Sequence, residues 1–427
     1  MPAPAPATAF AMPDAAELGR EALDRLDRLA AISEQADGLT RRFGTPEHAR
    51  ALDLIEGWMQ QAGMATRRDA AANLIGRYEA EEPGARAVLM GSHQDTVRDA
   101  GRFDGMLGIV LPILAVEALH RAGRRLPVAV EVIAFCDEEG VRFRTTLLGS
   151  KAVTGALGPA ELGARDPDGR TVAEVLRDFG GDPDALAAAA RRPDEIAAYI
   201  ETHIEQGPVL EAAGLPVGIV TAIVGGNRLQ VTFEGEAGHA GTVPMGRRRD
   251  ALAAAAEAVL ETEALATAAG DGAVATVGRI EAEPGAINVI PGLARFTVDL
   301  RLPDDDARRA AAADLERRIE AIAARRGCRV TIERLYESDG ASCAPWLMDA
   351  LGVAIAGEGV EVRRLPSGAG HDAMAMAAIS DIAMLFVRCK AGISHNPSES
   401  ASVEDMGVAG RVLLRLLDDF AMPEPDA

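Results

Sequence analysis

The N-terminal half of the chain alternates between helix-like and strand-like hydrophobic patterns. Apolar residues at three- and four-residue spacing predict helices over residues 15–33 and 47–63. The stretches "ARAVLMGSH", "PVAVEVIAFC" and "IAAYIETHI" are typical of buried strands, and "MLGIVLPILAVEALHRAG" predicts a mostly buried helix between the first two. This alternation of buried strands and helices indicates an α/β domain.

The pattern changes near Pro216. Residues 217–241 are expected to form paired strands, and a helix over 247–262, further strands, a helix over 305–326 and a strand over 328–337 follow. That order is typical of an α+β sandwich with helices on one face of a sheet. After residue 338 the α/β pattern returns, with a helix from Pro345 and a strand "IAMLFVRC". We therefore predict an α/β domain of residues 1–216 plus 335–427, interrupted by an inserted α+β domain of residues 217–334.

Composition narrows the classes of partner. The 427 residues carry a formal net charge of −21, so nucleic acid and anionic membrane surfaces are not expected partners. The four cysteines are scattered without CxxC spacing, as in proteins of a reducing compartment. The longest apolar run, residues 105–119, contains Pro112 and is too short to span a membrane, which takes ~18 residues or more. The first 17 residues, rich in Pro and Ala, do not resemble a secretory signal, and we expect a flexible tail on a cytoplasmic protein.

Candidate chemistry gathers where the predicted strands end. Of the seven histidines, His48 and His120 lie in helical patterns among charged residues and are expected to be solvated. The remaining five follow strands or lie in Gly-rich loops; they are His93, His203, His239, His371 and His395. The pair Glu138–Glu139 follows another strand, and open α/β sheets place their sites at such strand ends.

Each of these residues also has a structural explanation. A single histidine at a strand end is more often a hydrogen-bonded structural residue, and a glutamate pair is favoured at the N-terminus of a helix. Taken together with Asp104, which lies eleven residues after His93 in "GSHQDTVRDAGRFDG", they supply nitrogen and oxygen ligands for two sites that share one carboxylate. Such donors suit zinc, manganese or cobalt better than calcium.

The order of the motifs gives a more specific indication. The blocks "GSHQDTVRDAGRFDG", "DEEGVRF", "HIEQGPVLE", "GEAGHAGTVPM", "NVIPG", "DLR", "SGAGHDAMAM" and "GISHNPSE" occur in sequence over nearly the full chain. In this the chain resembles the metal-dependent amidohydrolases of the aminoacylase and carboxypeptidase superfamily. Within that superfamily it is most similar to the allantoate amidohydrolases, N-carbamoyl-L-amino acid hydrolases and ureidopropionases, and "DTVRDAG" and "SGAGHDAMAM" look most like the first of these.

The resemblance implies a catalytic centre with two divalent ions per chain, zinc or manganese. It makes Asp104 the carboxylate that bridges the ions, and Glu138 the general base. The remaining metal ligands that it implies are His93 and His203 for one ion, and Glu139 and His395 for the other. It also implies an exopeptidase-like catalytic α/β domain in which the inserted domain is a lid and a dimerisation element.

The same resemblance assigns substrate contacts. His239 is implied as an oxyanion donor that reaches the active site of the partner subunit, so the expected assembly is a homodimer with active sites completed across the interface. Asn288 and Arg301 would come from the same inserted domain, and a guanidinium can grip the substrate carboxylate with two hydrogen bonds. Gln206 and His371 have the donors expected for ureido recognition, although His371 can equally support a metal ligand from behind.

The sequence therefore predicts an amidohydrolase that removes the carbamoyl group of a small ureido acid. Allantoate is the first expected substrate, and an N-carbamoyl-L-amino acid or a ureidopropionate is the alternative. A dipeptidase or deacylase of the same superfamily is a more remote alternative, which the "HIEQGP" block with its histidine disfavours. A metal-free binding protein on this fold would be expected to lack a ligand or Glu138, and all of them are present.

Overall fold

The structure is a computed structural model that describes residues 11–270 and 272–423. The first ten residues of the expected N-terminal tail lie outside the described residues. The strands are β1 Ala65–Arg68, β2 Leu74–Tyr78, β3 Ala87–His93, β4 Ala129–Phe135, β5 Ile196–Ile204, β6 Val217–Ile223, β7 Gly225–Glu234, β8 Gly238–His239, β9 Val274–Thr276, β10 Ile280–Glu283, β11 Val289–Ile290, β12 Leu293–Leu302, β13 Arg329–Ser338, β14 Ala341–Ser342, β15 Arg364–Ser367 and β16 Ile382–Val387.

The α-helices are α1 Ala15–Ala30, α2 Pro46–Gln61, α3 Leu107–Arg121, α4 Leu148–Thr154, α5 Pro159–Leu162, α6 Val172–Asp178, α7 Val209–Ala213, α8 Ala251–Ala269, α9 Asp305–Arg326, α10 Pro345–Ala356, α11 Asp372–Met376 and α12 Val403–Asp418. Local signals set several of their starts. Asp14, Thr45 and Ser402 cap α1, α2 and α12 by accepting backbone N–H bonds through their side chains. Among the described residues, no helix is both long and apolar enough to cross a membrane.

The chain divides into two compact units. The first contains Met1–Thr221, Ser342–Leu365 and His371–Ala427, and the second contains Ala222–Ala341 and Pro366–Gly370. The predicted inserted segment, residues 217–334, overlaps most of the second unit, but the short return of the chain at Pro366–Gly370 had no sequence signal. The α/β class predicted from the pattern is confirmed.

The first unit is built on a mixed sheet with the strand order β1-β2-β4-β3-β5-β16-β6-β14, in which β15 also pairs with β6. Its central strands β4, β3, β5 and β16 are parallel to one another, and every residue of them is buried. Helix α3 packs against β3 and β5, and α1 and α12 pack on α3. The central strands therefore form a rigid frame whose carboxyl ends lie at one edge.

The second unit is an antiparallel sheet with the order β10-β12-β7-β13, to which β9 adds along β12. Burial alternates along β12, so one face of the sheet is covered and the other is more open. Helices α8 and α9 cover the buried face through an apolar core that includes Phe233, Phe296, Leu315 and Ile319. This is the α+β sandwich that the sequence pattern indicates.

Two local expectations were wrong. β6 and β7 are not paired with each other: β6 pairs with β16 in the first sheet, whereas β7 pairs with β12 and β13 in the second. An apolar strand pattern does not say which sheet a strand joins, which is why the two looked like one hairpin. His48 is fully buried, stacks on Phe179 with 4.7 Å between ring centroids, and accepts a hydrogen bond from the Gly44 N–H. It is therefore a core residue.

Candidate active site

The carboxyl ends of four neighbouring strands bring the candidate residues of the first unit together. His93 is the last residue of β3, and His203 is the last but one of β5. The glutamates 138 and 139 follow β4, which ends at Phe135, and His395 lies in the loop after β16, which ends at Val387. Because these strands are adjacent and parallel, their ends meet at one edge of the sheet.

Asp104 lies at the centre of this group, and its two carboxylate oxygens face different partners. Its Oδ1 lies 3.1 Å from Nε2 of His203 and 3.5 Å from Nε2 of His93. Its Oδ2 lies 3.2 Å from Nε2 of His395, which in turn lies 3.5 Å from Oε1 of Glu139. One buried carboxylate thus faces two separate sets of donors.

The arrangement contains three overlapping groups whose donor atoms lie within 4.8 Å of one another. They are His93–Asp104–His203, Asp104–Glu139–His395 and His93–Glu138–Glu139. We call the six residues of these groups the acid–histidine cluster. The first two groups share Asp104, and the third shows that Glu138 also comes within reach of His93.

Contacts with backbone carbonyls orient the rings of His93 and His203 in the same way, with Nδ1 towards the backbone. Nδ1 of His93 lies 3.0 Å from the carbonyl of Asp95, and Nδ1 of His203 lies 2.9 Å from the carbonyl of Ile204. A ring nitrogen this close to a carbonyl oxygen carries the proton, so the lone pair of the neutral ring is on Nε2, which faces Asp104. This is the orientation that a metal ligand needs.

A glycine makes room for this approach. Gly105, next to Asp104, has φ +71, in the left-handed region that glycine adopts most easily. A β-carbon at Gly105 would lie 2.4 Å from the ring of His93. Asp104 can therefore lie this close to the ring of His93 only with glycine at the next position, residue 105.

Burial and hydrogen bonding shift the pKa values of the three carboxylates in the cluster in opposite directions. Burial raises the pKa of Glu138 well above its usual value, although His93 opposes this, and burial together with Asp104 raises the pKa of Glu139 to about 7. Burial also acts to raise the pKa of Asp104, but hydrogen bonds from His203, His395 and His93 outweigh it and hold the pKa well below the usual range.

The histidines show the complementary effect. Burial lowers the pKa of His93, but its hydrogen bond to Asp104 outweighs burial and the pKa lies well above its usual value. The hydrogen bond to Asp104 raises the pKa of His395 to about 9. Protons thus collect on the nitrogens that face the acids, where divalent cations would supply the same charge. The donor set, with three imidazoles and three carboxylates, fits zinc or manganese.

Two predicted substrate contacts of the first unit lie against the cluster. Gln206, whose backbone has φ +56, donates through Nε2 to Oδ2 of Asp104 at 2.9 Å and to Oγ of Ser394 at 3.0 Å. His371 is buried, and its ring centroid lies 4.5 Å from that of His203. Burial is the main cause that lowers the pKa of His371 well below its usual value, and the nearby His203 lowers it further, so the ring of His371 is neutral. The positions of Gln206 and His371 favour a role in supporting the residues of the cluster. Their contact with substrate stays a prediction.

The other predicted substrate contacts lie in the second unit. β8 and β11 form a two-stranded ribbon in which His239 pairs with Val289, so His239 and Asn288 are neighbours, and both are exposed. Arg301, on β12, donates to both carboxylate oxygens of Asp299 at 2.8 and 2.9 Å and to the carbonyl of Gly368. Arg301, Asp299 and Gly368 border an open cavity of about 620 Å³, whose lining does not include His239 or Asn288. The bidentate hydrogen bonds that Arg301 is expected to donate to a substrate carboxylate are therefore made to Asp299 in this structure.

Sequence reasoning missed three residues that hold the cluster. The carboxylate of Asp95 accepts the backbone N–H bonds of Glu138 at 3.0 Å and Glu139 at 3.2 Å. Ser394 and Glu399 contact Asp104 or its backbone. All three lie inside the recognised motifs, one to four residues from a histidine, and this proximity was the available signal. Their partners are distant along the chain.

Comparison with known proteins is consistent with this geometry. The family model described as Peptidase family M20/M25/M40 matches residues 89–419, which is more than half of the chain. The chain belongs to this family. It is therefore a hydrolase, and both the resemblance seen in the motifs and the expectation of an enzyme are confirmed.

Individual relatives cover almost the whole chain. An allantoate deiminase of Arabidopsis thaliana is 42% identical, over 93% of this chain and 82% of the relative. An N-carbamoyl-L-amino acid amidohydrolase of Geobacillus stearothermophilus is also 42% identical, over 95% of this chain and 99% of the relative. The crystal structure of an amidase of the hydantoinase/carbamoylase family from Burkholderia multivorans superposes with a TM-score of 0.89 at 32% identity, covering 96% of this chain and 98% of that one.

Proposed function

We propose that the protein is a binuclear metal-dependent amidohydrolase that cleaves the carbamoyl C–N bond of a small ureido acid, with allantoate as the first candidate substrate. The observation that carries the proposal is the pair of donor groups that share Asp104. The names of the two 42% identical relatives supply the substrate class. Hydrolysis of the carbamoyl group releases ammonia, carbon dioxide and the amine that carried the group, which is a ureidoglycine-type product or an amino acid.

The metal ligands follow from the two groups. One divalent ion would be held by His93, Asp104 and His203, and the other by Asp104, Glu139 and His395. Zinc and manganese both accept these ligands. When bound, the two ions polarise the substrate carbonyl and lower the pKa of the attacking water.

Glu138 is the general base in this proposal. Its carboxylate accepts a proton from the attacking water and returns it to the leaving nitrogen. Burial raises its pKa, which makes it a stronger base than an exposed glutamate. Asp95 fixes the backbone of Glu138 and Glu139 through both N–H groups, so the two adjacent side chains can take different directions.

The second unit supplies substrate contacts and the dimer interface. We assign His239 as a donor to the developing oxyanion, and Asn288 and Arg301 as contacts to the rest of the substrate. β13 is a ten-residue strand at the end of its sheet, and such an edge is covered when a second copy pairs along it. In this homodimer His239 acts in the active site of the partner subunit.

The proposed substrate class is tested by a panel of compounds. We expect ammonia release from allantoate or from N-carbamoyl-L-amino acids, and none from dipeptides. The N-carbamoyl-L-amino acids stay the second candidate, because the relative named for them and the relative named allantoate deiminase are both 42% identical to this chain. Dipeptide hydrolysis without ammonia release from either ureido class would overturn the proposal. The four free cysteines fit action in the cytoplasm.

A further inference from the structure

Glu399 is a buried carboxylate that has no role in the proposed reaction, and only 3% of its surface is exposed. Its Oε1 accepts the backbone N–H bonds of Phe103 at 2.8 Å and Asp104 at 3.1 Å. Its Oε2 lies 2.9 Å from Oγ of Ser394, the residue before His395. One side chain thus joins the segment that carries Asp104 to the loop that carries His395, although they are almost 300 positions apart along the chain.

Ser394 extends this connection to the carboxylate of Asp104. Its Oγ lies 2.9 Å from Oδ2 of Asp104 and accepts a hydrogen bond from Nε2 of Gln206 at 3.0 Å. The same Oδ2 faces His395. The backbone of Asp104 and the carboxylate oxygen that faces His395 are therefore both held by contacts with Glu399 and Ser394.

The chain makes space for Glu399 in this position. A β-carbon on Gly101 would lie 2.2 Å from Cδ of Glu399 and 2.3 Å from its Cβ. Only glycine at residue 101 lets the carboxylate reach the N–H groups of Phe103 and Asp104. The loop that carries His395 also needs support. His395 has φ +53, which is uncommon for a residue other than glycine, and contacts with neighbouring residues must maintain this backbone conformation.

We propose that Glu399 is a positioning residue that fixes Asp104 and His395 relative to each other, so that the second donor group is formed before a metal arrives. The inference rests on the proposed metal centre. Its physical basis is that a ligand held in place loses less conformational freedom on binding, and that residues behind the ligands typically change metal affinity about 10- to 100-fold.

The test compares Glu399→Ala with Glu399→Gln. The alanine variant loses all three contacts. The glutamine variant keeps them, because its amide oxygen can accept the N–H bonds of Phe103 and Asp104 and its amide nitrogen can donate to Ser394. We expect the alanine variant to bind zinc about 10- to 100-fold more weakly at the site of Asp104 and His395, and the glutamine variant to stay within about threefold of wild type.

The readout is metal binding and not turnover. Metal-free protein is titrated with zinc against a chromophoric chelator, and the melting temperature of the metal-free protein is recorded alongside. Asp166→Ala is the matched control: Asp166 is 6% exposed and accepts two backbone N–H bonds, from Asp168 and Arg170, and its other described partner, Arg142, lies outside the acid–histidine cluster. We expect it to lower the melting temperature and leave zinc affinity unchanged.

Three results would overturn the inference: zinc affinity of Glu399→Ala within about threefold of wild type, a loss in Asp166→Ala as large as in Glu399→Ala, or no rescue by glutamine. If Glu399→Ala does not fold, Gly101→Ala displaces the same carboxylate without removing it and must weaken zinc binding in its place. Wild-type protein that binds no divalent ion would overturn the proposed function as well, whereas normal wild-type binding with an unaffected Glu399→Ala would overturn the inference alone.

Discussion

Metal binding by this protein should depend steeply on pH, because protons occupy the donor atoms that a metal needs. In the metal-free protein the hydrogen bond to Asp104 raises the pKa of His395 to about 9, and burial raises that of Glu139 to about 7. Each proton must leave before the group can bind a metal, so affinity rises with pH until both groups are deprotonated.

The size of the effect follows from these two values. Between pH 6 and pH 8 the deprotonated fraction of a group with a pKa of about 9 rises about 100-fold, and that of a group with a pKa of about 7 rises about tenfold. Together they increase affinity at the site of Glu139 and His395 by about 10³-fold, or about 4 kcal/mol. The logarithm of affinity should rise by about two per pH unit below pH 7 and by about one between pH 7 and pH 9.

The assay is chelator competition across pH 6 to 9.5, corrected for protonation of the chelator. His395→Ala is the informative variant, because it removes the group with a pKa of about 9 from the site of Asp104 and Glu139. Zinc affinity at that site should then show little pH dependence between pH 7 and pH 9, whereas binding at His93 and His203 keeps the pH dependence that the raised pKa of His93 gives it. A wild-type affinity that changes by less than tenfold between pH 6 and pH 8 would refute the reasoning, since it would mean that Asp104 does not hold a proton on His395.

Three further predictions address roles within the centre. Glu138→Gln should reduce turnover about 10²- to 10⁴-fold or more and keep two metals per chain by mass spectrometry, because the amide cannot accept a proton; loss of a metal would make Glu138 a ligand. Asp104→Ala should empty both sites, whereas His93→Ala and His395→Ala should each weaken mainly one, and equal single-metal loss in all three would contradict a shared bridge. Mixing inactive Glu138→Gln with inactive His239→Ala under subunit exchange should restore part of the activity, because one site of each mixed dimer has neither defect; no recovery despite proven exchange would exclude action of His239 across the interface.

Strand ends were the part of the site that the sequence could predict. An apolar run that stops at a histidine or an acid indicates a buried strand with a polar end, and parallel strands bring such ends to one edge. His93, Glu139 and His203 therefore come together without further information. The strand order β4-β3-β5-β16 then follows from packing, in which the pairs β3–β5 and β5–β16 join segments more than 100 residues apart.

Loop positions could not be predicted in the same way. His395 lies eight residues beyond the end of β16, and no local pattern says where its ring points. Its position depends on Ser394 and Glu399, whose partners near Asp104 are 290 and 295 residues away. Arg301 shows a related limit: the alternation along the strand places it on the same face as Asp299, two residues earlier, but does not say which partner its guanidinium binds.

The proposed division of roles between the units gives a reason why relatives of two different names match this chain equally well. Allantoate and N-carbamoyl-L-amino acids present the same carbamoyl group, so in this proposal one acid–histidine cluster and one base serve both. The two substrates differ in the rest of the molecule, and the donors that we assign to that part are Asn288 and Arg301 of the second unit. Arg301 adds a selection of its own, because a substrate carboxylate must compete with the two hydrogen bonds that Asp299 already makes. Substrate choice should therefore follow the surroundings of these two residues, while in this proposal the cluster determines only that a carbamoyl C–N bond is cleaved.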